Sequence, residues 1–329
     1  MRRSLVRAWL PLCLLCLLLA ALFSLVSGTL DLSPAQVLRL LLAPEGTAVE
    51  QVVLWQVRLP RLLLAGLVGA SLALSGSVFQ AVLRNPLADP YLLGISGGAA
   101  LGAVLALVLK LRFFAALPLA AFVGALAALA LVYLVAQAQQ ASGPTLILAG
   151  VMVGSLATAV LLFLLWLIPA DPLRSAVFWL AGNLAHAPPG WLSWAATGCA
   201  LCGLYLWRQA PLLDLFTQGE DVAADLGVDV GRARLQLFCA AGLLVATAVA
   251  LAGLVGFVGL VVPHAARLLW GPAHRRLLPA AALLGAAFLI LADAVARSLL
   301  APAEVPVGVF TALIGAPLFL YLLRWRGQA

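Results

Sequence analysis

The sequence predicts an all-α membrane protein of about ten transmembrane helices with an inverted internal repeat. Three observations carry that prediction. Hydrophobic residues fill 65% of the 329 positions and charged residues 9%, giving a mean hydropathy of +1.14; a soluble domain does not need so much apolar surface. The apolar residues fall into long runs of roughly the ~20 residues that cross a bilayer core, without the polar alternation of a barrel strand. The chain also resembles itself at an offset of 177 residues.

The first run, 8–27, follows Arg2, Arg3 and Arg7 and ends near Ser27-Gly28, much as a secretory signal would. Its length, and the spans that follow, favour an uncleaved first helix. Further spans are expected at 59–82, 92–109, 114–135, 145–168, 191–207, 235–255, 256–270, 277–300 and 306–323, the pair on either side of residue 255 running together. The second and third are separated by RNPLADPYLLGISGGAALG, Arg84 to Gly102, where Pro86 and Pro90 cannot continue a helix because each lacks an N–H and restricts its predecessor. Small residues four apart then allow close helix approach in lipid: Gly94, Gly98, Gly102 and Ala106; Ala116, Ala120, Gly124 and Ala128; and Gly69, Ala73 and Ser77.

With the N-terminus in the cytoplasm and the spans alternating, twelve basic residues fall inside and seven outside, which favours cytoplasmic termini at both ends. Arg58, Arg61 and Arg297 are among the outer seven, an excess that calls for a reason. At the 177-residue offset, Leu74, Gly76, Val78, Leu83, Pro86 and Gly94 fall on Leu251, Gly253, Val255, Leu260, Pro263 and Gly271. Units an odd number of spans apart have opposite orientations, a recurring design of transporters. The expected organisation is a single transmembrane domain over 1–329, with a first repeat at about 59–168, a polar cytoplasmic loop at 211–234 and a second repeat at about 235–323.

Several chemistries find no support. The net charge of +7 is almost all arginine, with Lys110 the only lysine and no aromatic-and-basic stripe, so no nucleic-acid partner is expected. Lys110 follows Leu109, so the GxxxxGK[ST] phosphate loop is missing and the energy source must be a partner or an ion gradient. The pairs Cys13/Cys16 and Cys199/Cys202 lie in leucine- and alanine-rich spans, where cysteine acts as a small apolar residue; neither metal nor cofactor is expected. Gly94-Ile95-Ser96-Gly97 matches the GxSG of rhomboid intramembrane proteases, with His264 as conceivable base, yet the glycine ladder explains Ser96 as packing. An ion-driven carrier would want an unpaired midplane carboxylate, whereas Asp293 has Arg297 four residues on.

Arg84 to Gly102, GLVGFVGLVVPHAARLL (Gly253 to Leu269) and VPVGVFTALIGAPLFLYLL (Val305 to Leu323) resemble the FecCD-type permeases, the membrane subunits of type II ABC importers for iron–siderophores, haem and vitamin B12. The resemblance runs from about Leu54 to Arg326. It implies a ten-helix homodimeric permease in the bacterial inner membrane, carrying an iron chelate (siderophore or haem), with vitamin B12 as the alternative cargo. It also implies two cytoplasmic ATPase subunits and a periplasmic substrate-binding protein as partners. Pro263 looks like a helix break in that motif.

The resemblance also implies site residues. Arg58, Arg61 and Arg297 would meet carboxylates on the binding protein, a contact that suits arginine's planar fork. The loop 211–234 would dock into the ATPase through Glu220, Asp221, Val222, Asp225, Leu226 and Gly227. Its residues alone suggest two short helices stopped by Gly219 and Gly227, with Val222, Ala223 and Leu226 spaced to form one buried face. Asn85, Pro86 and Leu87 would form the inner gate. Gly143 and Pro144 would stand at a second constriction, where some family members carry hydroxyls. Thr145, Gly150, Gly154, Ser155 and Thr158 would line the path of a large chelate, and Phe178 to Asn183 resembles a segment at the outer mouth.

Overall fold

A computed structural model describes residues 9–28, 30, 32–42, 48–111, 115–137, 142–185, 190–300 and 303–326. Ala8 and Phe114, at the edges of two expected spans, and Arg2, Arg3, Arg7 and Arg112 lie outside them. The helices are α1 Trp9–Val26, α2 Pro34–Leu42, α3 Val49–Val82, α4 Ile95–Val108, α5 Ala116–Gln137, α6 Gly143–Leu167 and α7 Ala170–Leu180. The remainder are α8 Trp191–Arg208, α9 Ala210–Gln218, α10 Glu220–Asp225, α11 Val230–Ala252, α12 Val258–Trp270, α13 His274–Leu299 and α14 Val307–Arg326. Among the described residues there is no strand, only an isolated bridge between Leu300 and Ala303.

Each expected span has its helix, and six of them are long and apolar enough to cross a membrane: α1, α3, α5, α6, α11 and α13. The boundary at residue 59 is corrected. α3 runs back to Val49 through a π-helical turn, Val53–Arg58, directly ahead of Pro60. The wider turn accommodates a proline whose N–H is missing, so the helix is not interrupted. Helices α2 and α7 were not foreseen, being too short to register as spans.

Glycine contacts set the packing. A Cβ on Gly69 would collide with the Gly285 carbonyl, and one on Gly285 with that of Gly69, so α3 and α13 cross backbone to backbone. The two predicted ladders after the break meet each other: Gly98 of α4 faces Gly124 and Ala128 of α5, and Gly102 faces Ala120. Such close approach substitutes for a hydrophobic drive, which lipid does not supply. α3, α11 and α13 are buried over most of their lengths, whereas α1 and α6 leave most of their surface uncovered.

The order long helix, break, short helix, long helix occurs twice, in α3–α4–α5 and in α11–α12–α13. Both short helices start from a left-handed residue, Gly94 (φ 74°) and Phe257 (φ 67°). At the 177 offset Leu74 and Leu251 are both helical, but the matches that carried the signal differ: Gly76 is inside α3 while Gly253 has φ 69°, and Pro86 is in a turn while Pro263 is inside α12. Pro263 therefore does not break its helix. The carbonyl it leaves unpaired is that of Gly259, four residues back, and Gln80 Nε2 of α3 donates to it at 3.4 Å and to the adjacent Leu260 carbonyl at 3.3 Å.

Candidate functional site

Three clusters contain the expected site residues. At the end of the bundle predicted to face outward, the three arginines are held from within the chain. Arg58, 3% exposed, donates to the carbonyls of Leu25 and Val26 at the end of α1 and of Leu30 beyond it. Arg61 grips Asp293 of α13 through Nε and Nη2 at 2.9–3.1 Å, and Nη1 takes both oxygens of Glu304 at 2.9 and 3.1 Å. Arg297 Nη2 donates to the carbonyl and the hydroxyl of Ser24, each at 2.9 Å, and its Nε stands 3.5 Å from Asp293. The intrahelical pair Asp293–Arg297 expected from the spacing is present, but Asp293's closer partner is Arg61 on another helix. The sequence reading overlooked Glu304, whose side chain is 49% exposed and offers the network's open edge.

The break and the first half of α6 form the second cluster. α3 ends at Val82 in a Schellman turn with Arg84 (φ 50°) left-handed: Asn85 N–H reaches the Gln80 carbonyl and Arg84 N–H that of Ala81. Asn85 Oδ1 then accepts from Leu87 N–H at 2.9 Å, and Pro86 follows where a helix cannot resume. Leu87 itself is 38% exposed. Asp89 caps the 3-10 turn Pro90–Leu93 by accepting from Tyr91 N–H at 2.7 Å. Burial pushes the Asp89 carboxyl up to about 6, opposed by that hydrogen bond. Tyr91 also reaches the second break, its hydroxyl accepting from Val255 N–H at 2.9 Å.

α6 runs alongside this segment. Its N-terminus is capped by Ser142, whose Oγ accepts from Thr145 N–H at 3.4 Å and lies 2.7 Å from Thr145 Oγ1. Gly143 packs on the backbone of Leu83, so the two expected constrictions are neighbours, while Pro144 is exposed. A Cβ on Gly94 would stand 3.0 Å from the Gly150 carbonyl and 3.1 Å from Gly154 N, which brings the start of α4 against α6. Gly150 thus serves the contact between helices, and Ser155 and Thr158 occupy the exposed side. A groove of about 520 Å³ results, lined by Tyr91, Ser96, Gly97, Gly154, Ser155 and Thr158 among others, with no charged side chain. Ser96 belongs to this groove, whereas the His264 ring meets Phe319 of α14 edge-on at 6.4 Å.

The third cluster is the expected pair of short helices, α9 and α10, separated by Gly219. α10 ends in a second Schellman turn, with Gly227 (φ 82°) left-handed, Gly227 N–H on the Ala224 carbonyl and Val228 N–H on that of Ala223. The single buried face expected here is corrected. Ala223 is fully buried, but Val222 and Leu226 are 39% and 65% exposed, because a helix this short turns only one residue towards the bundle. Glu220 is ion-paired with the buried Arg234 of α11, and Asp229 caps α11 through Arg232 N–H at 3.0 Å. Asp221, Asp225 and the two apolar side chains are left on the outer surface.

An all-helical bundle with two paired breaks, a neutral groove on an uncovered helix and a solvent-facing acidic–apolar helix defines a multi-span membrane permease. The chain belongs to the FecCD transport family, whose family model matches residues 16–325. It is 46% identical over 281 residues to the cobalamin import system permease protein BtuC of Halobacterium salinarum, covering 84% of this chain and 74% of the relative. The hemin transport system permease protein HmuU of Yersinia pestis is 42% identical, with 83% of each chain covered. The vitamin B12 import system permease protein BtuC of Escherichia coli O157:H7 is 40% identical, covering 96% of this chain and 95% of the relative. A solved structure described as an inward-facing conformation of a metal-chelate type ABC transporter superposes with a TM-score of 0.85 at 38% identity, covering 95% of this chain and 97% of that one. The chain is an ABC importer permease.

Proposed function

We propose that this permease carries a large metal chelate across the bacterial inner membrane, by alternating access, between two copies of itself. Two cytoplasmic ATPase subunits would supply the energy and a periplasmic binding protein the cargo. The observation that carries the reading is the uncovered face of α6, where Ser155 and Thr158 border a groove free of charged groups. A charged selectivity ring would hold ions; small and hydroxyl side chains let a bulky, internally coordinated metal pass. Docking of an acidic partner at Arg58, Arg61 and Arg297 rests on the family resemblance, because their guanidinium groups are held within the chain, whereas exposed Val222 and Leu226 on α10 support insertion into an ATPase cleft. An iron chelate, siderophore or haem, is the cargo proposed, with cobalamin the alternative. Relatives named for haem and for cobalamin support the chelate class as a whole.

Proteoliposomes containing this chain, with a cognate ATPase and binding protein, test the reading. ATP-dependent, ionophore-insensitive uptake of one of ferric siderophore, haem or cobalamin is expected. Uptake that collapses with the ion gradient and ignores ATP would refute it.

A further inference from the structure

We propose that α13 is the rod linking the outer arginine cluster to the cytoplasmic helices, and that Asp214 and His274 are positioning residues that fasten its inner end. The proposal rests on the reading of α10 as the ATPase-facing helix. α13 is one helix of 26 residues, which at ~1.5 Å per residue spans about the thickness of a bilayer.

Its outer end is fixed to α3 by Asp293 and Arg61, and to α1 by Arg297 and Ser24. Its middle lies backbone to backbone on α3 at Gly69 and Gly285. Its inner end is tied to the α8–α9 corner. Asp214 Oδ1 of α9 accepts from His274 N–H at 3.0 Å and lies 2.6 Å from Nδ1 of the same ring, which is 1% exposed.

A second tie stands one residue on. Pro279 cannot donate to the Arg275 carbonyl four residues earlier, and the Trp207 indole N–H of α8 donates to that carbonyl instead at 3.1 Å. The Arg275 guanidinium sits 5.8 Å over the Trp207 ring. The proline thus leaves α13 continuous while giving α8 a handle on it.

α9 itself cannot shift freely, because Leu213 and Phe216 are fully buried. Beyond it, across Gly219, α10 is attached to α11 through Glu220 and Arg234. A push on α10 is therefore divided between α11 and, through α9, the inner end of α13. At its far end α13 carries Asp293, which sets the position of Arg61. The binding protein and the ATPase would thus act on one continuous element from opposite sides, and couple by biasing it between two positions.

The test uses the complete complex in nanodiscs and reads the ratio of binding-protein affinities with and without a non-hydrolysable ATP analogue. Asp214→Ala and His274→Ala should bring that ratio towards one by about fivefold or more. His274→Asn, whose side-chain NH₂ can take the place of Nδ1–H, should restore it. A Val222→Cys crosslink to the ATPase should persist in all variants. An unchanged ratio in Asp214→Ala, or affinities that fall equally with and without nucleotide, would overturn the proposal. A crosslink missing in the otherwise unsubstituted complex would overturn the reading of α10, and this inference with it.

Discussion

Gln80 donates to the carbonyl that Pro263 leaves without a partner: its Nε2 lies 3.4 Å from Gly259 O, and its Oε1 accepts from Arg267 Nη2 at 3.1 Å. A side chain of α3 therefore substitutes for a backbone bond of α12. A buried unpaired carbonyl costs about 1–3 kcal/mol, so Gln80→Leu should lower thermal stability in detergent by that order. In a Pro263→Ala background the restored N–H can serve Gly259, and the Gln80→Leu penalty should shrink. A double-mutant cycle with no coupling between the two positions would remove the assignment.

The outer network predicts an asymmetry between its two carboxylates. Asp293 is 1% exposed and bound to Arg61; removing one partner of such a pair costs about 3–5 kcal/mol because a buried charge is left behind. Asp293→Ala should therefore destabilise strongly. Glu304→Gln, at a side chain 49% exposed, should cost roughly 1 kcal/mol or less. Thermal unfolding of the two variants side by side checks the order.

Docking makes a separate demand on the same arginines. Reversing Arg58, Arg61 and Arg297 to Glu should abolish binding-protein stimulation of ATP hydrolysis. Because Arg61→Glu and Arg297→Glu would also face Asp293, and Arg58→Glu the carbonyls of Leu25, Val26 and Leu30, the neutral single variants Arg58→Gln and Arg297→Gln are the more specific probes. Stimulation that survives both would sink the docking role.

Asp89 gives the break a pH signature. Its carboxyl is raised from 3.8 to about 6 by burial, so the folded chain holds that proton more tightly than the unfolded chain. Stability from this group is greatest below the lower value, falls as pH rises between the two, and is flat above. Asp89→Asn keeps an acceptor for Tyr91 N–H and should abolish that part of the slope, as melting curves between pH 4 and pH 7 would reveal.

Leu87 tests the gate. A Leu87→Cys substitution should allow crosslinking between two copies, and the crosslinked permease should not transport. Free transport after complete crosslinking would take Asn85 and Leu87 out of the gate.

Much of this arrangement was legible because it rests on backbone chemistry. Proline and glycine positions announced the break after α3, and small residues four apart announced the α4–α5 contact. What escaped depended on partners far away in the chain. Nothing near Pro263 or Pro279 signals that Gln80 and Trp207 will satisfy the freed carbonyls, so Pro263 read as a break. The outer arginines were found, yet their ties to Asp293, Glu304 and Ser24 need the fold. Val222 and Leu226 read as buried because periodicity reports amphipathicity without saying whether the partner belongs to the same chain. His274 had no local signal at all.

The backbone contact between Gly69 and Gly285 has a further consequence, for how this sequence can vary. Leucines facing the lipid can exchange for isoleucine, valine or phenylalanine with little change in the environment they meet. At these two α-carbons a single hydrogen atom is the whole side chain, and a methyl in its place would collide with a carbonyl across the interface. Tolerance to change is therefore distributed against intuition. The bulky, greasy positions that face lipid are the replaceable ones, and two of the smallest are fixed.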